Sequence, residues 1–343
     1  MRNALALHAG LALLAACADT PPATGAKRAA WHDVLQNMQP TFLSVWGTSS
    51  KDVFVVGGSR GNGGPSAMMH YDGQVWKDLV PGGTDTFWWV DGTSSHDVWA
   101  VGENGRITHW DGASFTEHVS GTTATLYGVW SASPGDAWAV GGTPEGGSTK
   151  PNDVILHFDG QTWAPSLPAQ AFGRAFFKVW GTGPDNLYVV GEAGTIWHRT
   201  ATGWLLESQA GIATGTLTTV TGCSAHEIYA VGGRNVLRSD GSTWTRDTVS
   251  AALTNEANGV ACASPGNAVI VGFGGLKMRN VSGQWSDDLA APPYADLHAA
   301  WADESGAYWA VGGDFVTAPR AGAARGGVVG HYGDTAPSAR IAH

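Results

Sequence analysis

Seven times along this chain, a run of four apolar residues ends in glycine. The runs occupy residues 53–56, 98–101, 137–140, 187–190, 228–231, 268–271 and 308–311, and they stop at Gly57, Gly102, Gly141, Gly191, Gly232, Gly272 and Gly312. A run with no polar position predicts a strand buried on both faces, as happens where sheets pack face to face. Each run closes a longer phrase, clearest at residues 45–57, which read VWGTSSKDVFVVG. The glycines are spaced by 45, 39, 50, 41, 40 and 40 residues. A period near forty predicts the blades of a β-propeller, an all-β fold of four-stranded antiparallel sheets in a ring.

Each repeat divides into four strand-sized pieces, A to D. In the third, strand A is expected at 126–131, strand B at 137–140, strand C at 154–158 and strand D at 161–165 around Trp163. Asp159-Gly160 joins C to D, and the same pair recurs at Asp72-Gly73, Asp111-Gly112 and Asp240-Gly241. Asp-Gly favours a hairpin because glycine tolerates positive φ and aspartate bonds its own turn. An aromatic residue follows each of these aspartates, as Trp76, Phe115, Trp163 and Trp244; Trp204 and Trp285 hold the matching place in repeats without the Asp. The seventh repeat has strands A (around Trp301), B (308–311) and C (328–332), but no terminal Trp. Trp31 precedes Val45 by the interval that separates Trp76 from Val90. Residues 31–35 are therefore expected to supply the missing strand and close the ring at seven blades, removing the free sheet edges.

Composition adds an address. Arg2 is the only charged side chain in the first sixteen residues, and an apolar stretch through Leu11, Leu13 and Leu14 follows it. This reads as an export signal, too short for a stable membrane span. It ends in LAAC at Cys17, which resembles the lipobox of bacterial lipoproteins. That resemblance implies lipidation of Cys17 and a membrane-anchored exported protein. The Ala18 that follows points, by the same resemblance, to the outer membrane of a Gram-negative bacterium. Residues 1–16 are then the signal peptide, 17–30 the lipidated Cys and a flexible tether, 31–333 the propeller and 334–343 a C-terminal tail. With 19 Lys+Arg against 29 Asp+Glu, the chain is acidic and shows no basic cluster, so nucleic acid is not an expected partner. Cys223 and Cys262 fall near the same place in consecutive repeats. A disulfide between adjacent blades would need Cα atoms within about 7 Å.

The strand C–D segment, with Asp at the turn and Trp after it, is similar to the Asp-box or BNR repeat of sialidase-type propellers. The segments DVWAVGENGRITHWDG (97–112) and NLYVVGEAGTIWHR (186–199) resemble photosystem II stability/assembly-factor-like propellers. The chain looks like a secreted, Trp-rich bacterial repeat propeller. The resemblance implies fold more than chemistry, because such repeats are scaffold.

Repetition also decides how candidate sites are read. His70, His109, His157, His198 and His331 share one strand C position, as Asp72, Asp111, Asp159 and Asp240 share one turn. Equivalent positions lie around a ring, whereas a metal needs ligands about 2 Å away and glycoside hydrolysis needs carboxylates about 5–10 Å apart. Both series are therefore expected to be structural, with no metal site and no cofactor, although turn carboxylates and carbonyls leave structural calcium open. Function is expected where the pattern breaks, in three long B–C loops (59–66, 142–153 and 314–326) and long D–A connections on the same face. Their polar residues Arg60, Asn62, Lys150, Asn152, Arg174, Asp314, Arg320 and Arg325 are the candidate binding set. The expected role is a monomeric, non-catalytic binding or assembly scaffold for an envelope protein or surface glycan. The competing expectation is a sialidase-like carbohydrate-active hydrolase or lyase.

Overall fold

The computed structural model describes residues 29–60, 63–208, 211–213, 215–315 and 326–342. Within these, twenty-eight strands, numbered in chain order, form seven four-stranded antiparallel sheets. The first complete blade is β2 (Phe42–Ser49), β3 (Asp52–Ser59), β4 (Ser66–Tyr71) and β5 (Trp76–Leu79), in that order from the axis outward. The innermost strands of blades two to six are β6 (Phe87–Ser94), β10 (Thr125–Ser133), β14 (Phe176–Gly183), β18 (Thr219–Ser224) and β22 (Ala257–Ser264). The chain is a seven-bladed β-propeller.

The last blade joins both ends of the sequence. Its strands run β26 (Asp296–Ala302), β27 (Tyr308–Gly313), β28 (Gly327–Gly333) and then β1 (Ala30–Met38). Trp31 lies opposite Tyr332, and Met38 opposite Gly327. The closing strand is thus longer than the 31–35 expected. The segment after Gly333 crosses to the first blade, where Trp76 N–H donates to Arg340 O and Ala342 N–H to Trp76 O, each at 2.8 Å. Trp76 Nε1 donates to Ser338 O at 3.1 Å, so the tail grips the outer edge of blade one.

One contact system recurs between blades. In blades one to four the strand B aromatic takes a strand C histidine on one side, with ring centroids 4.1–4.3 Å apart for Phe54–His70, Trp99–His109, Trp138–His157 and Tyr188–His198. On the other side comes the strand D tryptophan of the next blade, edge-on, as in Trp163–Trp99 (5.3 Å), Trp244–Tyr188 (5.8 Å) and Trp76–Trp309 (6.1 Å). The histidine Nε2 donates to the residue that opens strand B: Asp52 at 2.6 Å, Asp97 at 2.7 Å, Asp136 at 3.0 Å and Asn186 at 2.8 Å. Each histidine therefore serves its own blade, clamping the A–B turn to strand C. Desolvation opposes ionisation of Asp52 and Asp97, but hydrogen bonds from His70 and Thr48, or His109 and Thr93, outweigh it and hold both carboxyls below their usual range. The turn aspartates act as the pattern predicts: Asp72 Oδ1 accepts from Gln74 N at 3.0 Å and Val75 N at 2.9 Å.

Candidate functional site

The seven innermost strands can be aligned residue by residue, and each column becomes a ring around the axis. Phe42, Phe87, Leu126, Phe176, Leu217, Ala257 and Leu297 point outward into the blades and are buried. The next column is Leu43, Trp88, Tyr127, Phe177, Thr218, Asn258 and His298. In six of the seven blades the strand pairing skips this residue, as between Phe42 and Ser44 or between Phe176 and Lys178. Such a bulge leaves one residue outside the ladder and re-aims its side chain. Here these six residues and Thr218 of the fifth blade line one cavity of about 290 Å³ at the axis, joined by Phe273 and Phe315 from B–C connections. This upper mouth opens on the face that carries the B–C and D–A loops.

The floor of the mouth is Lys178. Its Nζ donates to Tyr127 O at 2.8 Å and Phe177 O at 3.1 Å, and lies 3.9 Å from the centre of the Trp89 ring. Burial pushes its pKa down to about 7. His298 Nδ1 donates to Leu43 O at 2.6 Å, and burial, with the Lys178 ammonium nearby, pushes the imidazole down to about 3. At neutral pH His298 is therefore uncharged, and the bond to Leu43 assigns its proton to Nδ1. The indole N–H of Trp88 is buried and finds no acceptor among the described residues. Around these groups are aromatic faces: Trp88 meets Tyr127 edge-on at 4.9 Å, and Tyr127 meets Phe177 at 5.0 Å. The described lining holds no carboxylate and no arginine. Its chemistry is that of a receptor for an apolar group, with a fixed polar floor.

The loop residues singled out by sequence lie elsewhere. Arg60 makes a two-pronged pair with Asp78, at 2.6 and 2.5 Å. Asn152 organises its own loop, accepting from Thr143 N at 2.7 Å and donating to Gly147 O at 2.9 Å. Arg174 bonds Thr195 Oγ1 at 2.7 Å and covers the Phe172 ring. Asp314 accepts from Gly326 N at 3.0 Å, and Lys150 is exposed. These five stand on the predicted face without converging. Asn62, Arg320 and Arg325 fall outside the described residues, as do Cys17 and the segment before Ala29. Cys223 and Cys262 form a disulfide between blades five and six, with Cα atoms 5.2 Å apart.

No family model and no curated protein matches the chain. Among solved structures, "YCF48 bound to D1 peptide" is similar at a TM-score of 0.64 and 14% identity, over 89% of this chain and 96% of that one. A streptogramin B lyase structure is similar at 0.65 and 14%, over 89% and 99%. The WD40 repeats of RRP9 are similar at 0.66 and 10%, over 89% and 97%. At these identities the likeness shows the propeller fold alone.

Proposed function

We propose that this chain is a non-catalytic binding or assembly scaffold of the cell envelope that receives an apolar side chain of a protein partner in its upper mouth. The observation that carries the reading is the convergence of six bulged residues, one threonine and two loop phenylalanines on a single apolar cavity. Burying one aromatic or aliphatic side chain there contributes about 1.5–3 kcal/mol, enough to anchor an interface whose remainder is spread over the surrounding loops. A solved neighbour of the same fold, YCF48, holds a D1 peptide, which supports a protein rather than a small-molecule occupant. Attachment to the envelope through a lipidated Cys17 belongs to the same reading and rests on the LAAC sequence.

A surface glycan is the competing occupant, because aromatic faces also stack on sugars. The hydrolase reading needs paired carboxylates on one substrate, and the described mouth supplies none. A photo-crosslinking amino acid placed at Phe177 in native envelopes tests the proposal, with Lys51 on the opposite face as control. Protein adducts are expected from position 177 only, and Trp88→Ala, with unchanged melting, should abolish them. Equal adducts from both positions, adducts indifferent to Trp88→Ala, or a mouth-dependent signal on a glycan array with no protein adduct would overturn it.

A further inference from the structure

The lower end of the channel is built differently. The fifth column of the innermost strands is Trp46, Asp91, Trp130, Trp180, Thr221, Ala261 and Trp301, and all seven line a cavity of about 260 Å³. Trp301, Trp46 and Trp180 each seal a seam between blades. A Cβ placed on Gly47 would stand 3.1 Å from Trp301 Cη2, and one on Gly92 would stand 3.0 Å from Trp46 Cη2. A Cβ on Gly222 would likewise run into Trp180 Cη2, so at these three seams the glycine next in the strand makes the space that the preceding blade's indole occupies, and the rest of that indole borders the lumen. In blade two the pattern breaks. Asp91 replaces the tryptophan, and its Oδ2 accepts from Ser131 N of blade three at 2.8 Å. The seam is sealed by a hydrogen bond instead of a ring, and a carboxyl group is set among four indoles.

We propose that this lower cavity binds a small organic cation of the methylated-ammonium class, held by the faces of Trp46, Trp130, Trp180 and Trp301 and neutralised by Asp91. Aromatic faces attract cations through their quadrupole, and tryptophan does so most strongly. A methylated ammonium also suits an apolar lumen, since it has no N–H that must find an acceptor and its charge is spread over methyl groups. Asp91 would otherwise be a costly group to retain here: burial pushes its pKa up to about 8, with the Asp97 carboxylate adding to the rise. A bound cation supplies the partner that an ionised carboxylate in such a place requires. Lys178 is the one other charged group that borders this cavity among the described residues. Its ammonium is turned to the carbonyls of Tyr127 and Phe177 and covered by Trp89, so it divides the lower cavity from the upper mouth. The site is independent of the partner proposed for the upper face.

Choline chloride titrated into the full-length folded protein, followed by tryptophan fluorescence and calorimetry, tests the proposal. The neutral isostere 3,3-dimethyl-1-butanol serves as the charge control. Saturable choline binding is expected, with the isostere weaker by about tenfold or more, equivalent to about 1.4 kcal/mol. Asp91→Asn should weaken choline by a similar factor while keeping the acceptor for Ser131. Trp130→Ala should do the same, and Trp130→Phe should restore part of the affinity. Equal binding of choline and its isostere, indifference to both Asp91→Asn and Trp130→Ala, or no saturation in the millimolar range would overturn the assignment. Loss of choline binding with the upper-mouth adducts intact would leave the scaffold reading standing.

Discussion

Replacing Trp31 with alanine tests the closure of the ring at its narrowest point. Trp31 is 4% exposed although it lies only three residues into the described chain. Its ring meets Tyr332 of the same blade at 5.6 Å, and its Nε1 donates to Asp288 Oδ2 of blade six at 3.0 Å. Removing a buried tryptophan costs about 3–5 kcal/mol. The lost hydrogen bond adds little, because Arg279 Nε still pairs with Asp288 Oδ2 at 2.5 Å and the carboxylate is not left alone. For a domain of this size the loss corresponds to a melting temperature lower by about 5–8 °C. Trp285→Ala, at the equivalent strand position of blade six but only partly buried, should cost less. Thermal melts of the three proteins, followed by near-UV circular dichroism, measure the difference. Removal of residues 30–38 should go further, exposing the β28 edge and producing oligomers in size-exclusion chromatography. A Trp31→Ala melting temperature within about 2 °C of the parent would mean that β1 is not needed to hold the seventh blade, and the closure argument would fail.

Two further outcomes are expected. Because burial raises the Asp91 pKa to about 8, the folded state binds the extra proton between its ordinary carboxylate value and pH 8. Its stabilising contribution is complete at low pH and is lost as pH rises through that window. Lys178, depressed to about 7, works in the opposite sense at higher pH, and His298, depressed to about 3, does so up to its ordinary value near 6.5. The Asp91 share is therefore isolated as the difference between parent and Asp91→Asn urea midpoints at pH 5 and pH 7. Asp91→Asn should flatten the decline there, and an unchanged slope would refute a buried, protonated carboxyl. Cys17→Ala should release the protein from the membrane fraction of its native host, and continued sedimentation with membranes would end the lipid-anchor proposal.

Construction was legible in the sequence because it repeats. Strand B showed itself as a fully apolar run, which only a strand covered on both sides tolerates, and the glycine after it marked where the next connection begins. The shared position of His70, His109, His157 and His198 announced a structural role. The partner they clamp, the first residue of strand B, was equally visible at Asp52, Asp97, Asp136 and Asn186. The upper mouth was harder to see. Its column reads Leu, Trp, Tyr, Phe, Thr, Asn, His directly after a column of steady apolar residues, and that variability beside constancy was the available signal. It was masked because the bulge that re-aims those side chains has no residue signature of its own. Loop length and polarity instead drew attention to Arg60, Asn152 and Arg174, whose charges and amides are consumed in holding their loops. The C-terminal tail offers only backbone groups to its hydrogen bonds with Trp76, and these left no trace in the tail's residue types.

The direction of β1 fixes how the body can be oriented. Ala30 lies opposite Gly333, at the end of the seventh blade where the C–D turns of the other blades stand, and Met38 lies opposite Gly327 on the loop-bearing side. The chain therefore enters the ring from beneath and climbs toward the upper face. Under the lipid-anchor proposal, the anchored segment joins the ring on the underside. The apolar mouth opens on the face opposite that junction, while the tryptophan-lined end shares its face. A single strand polarity gives the two ends of one channel different audiences.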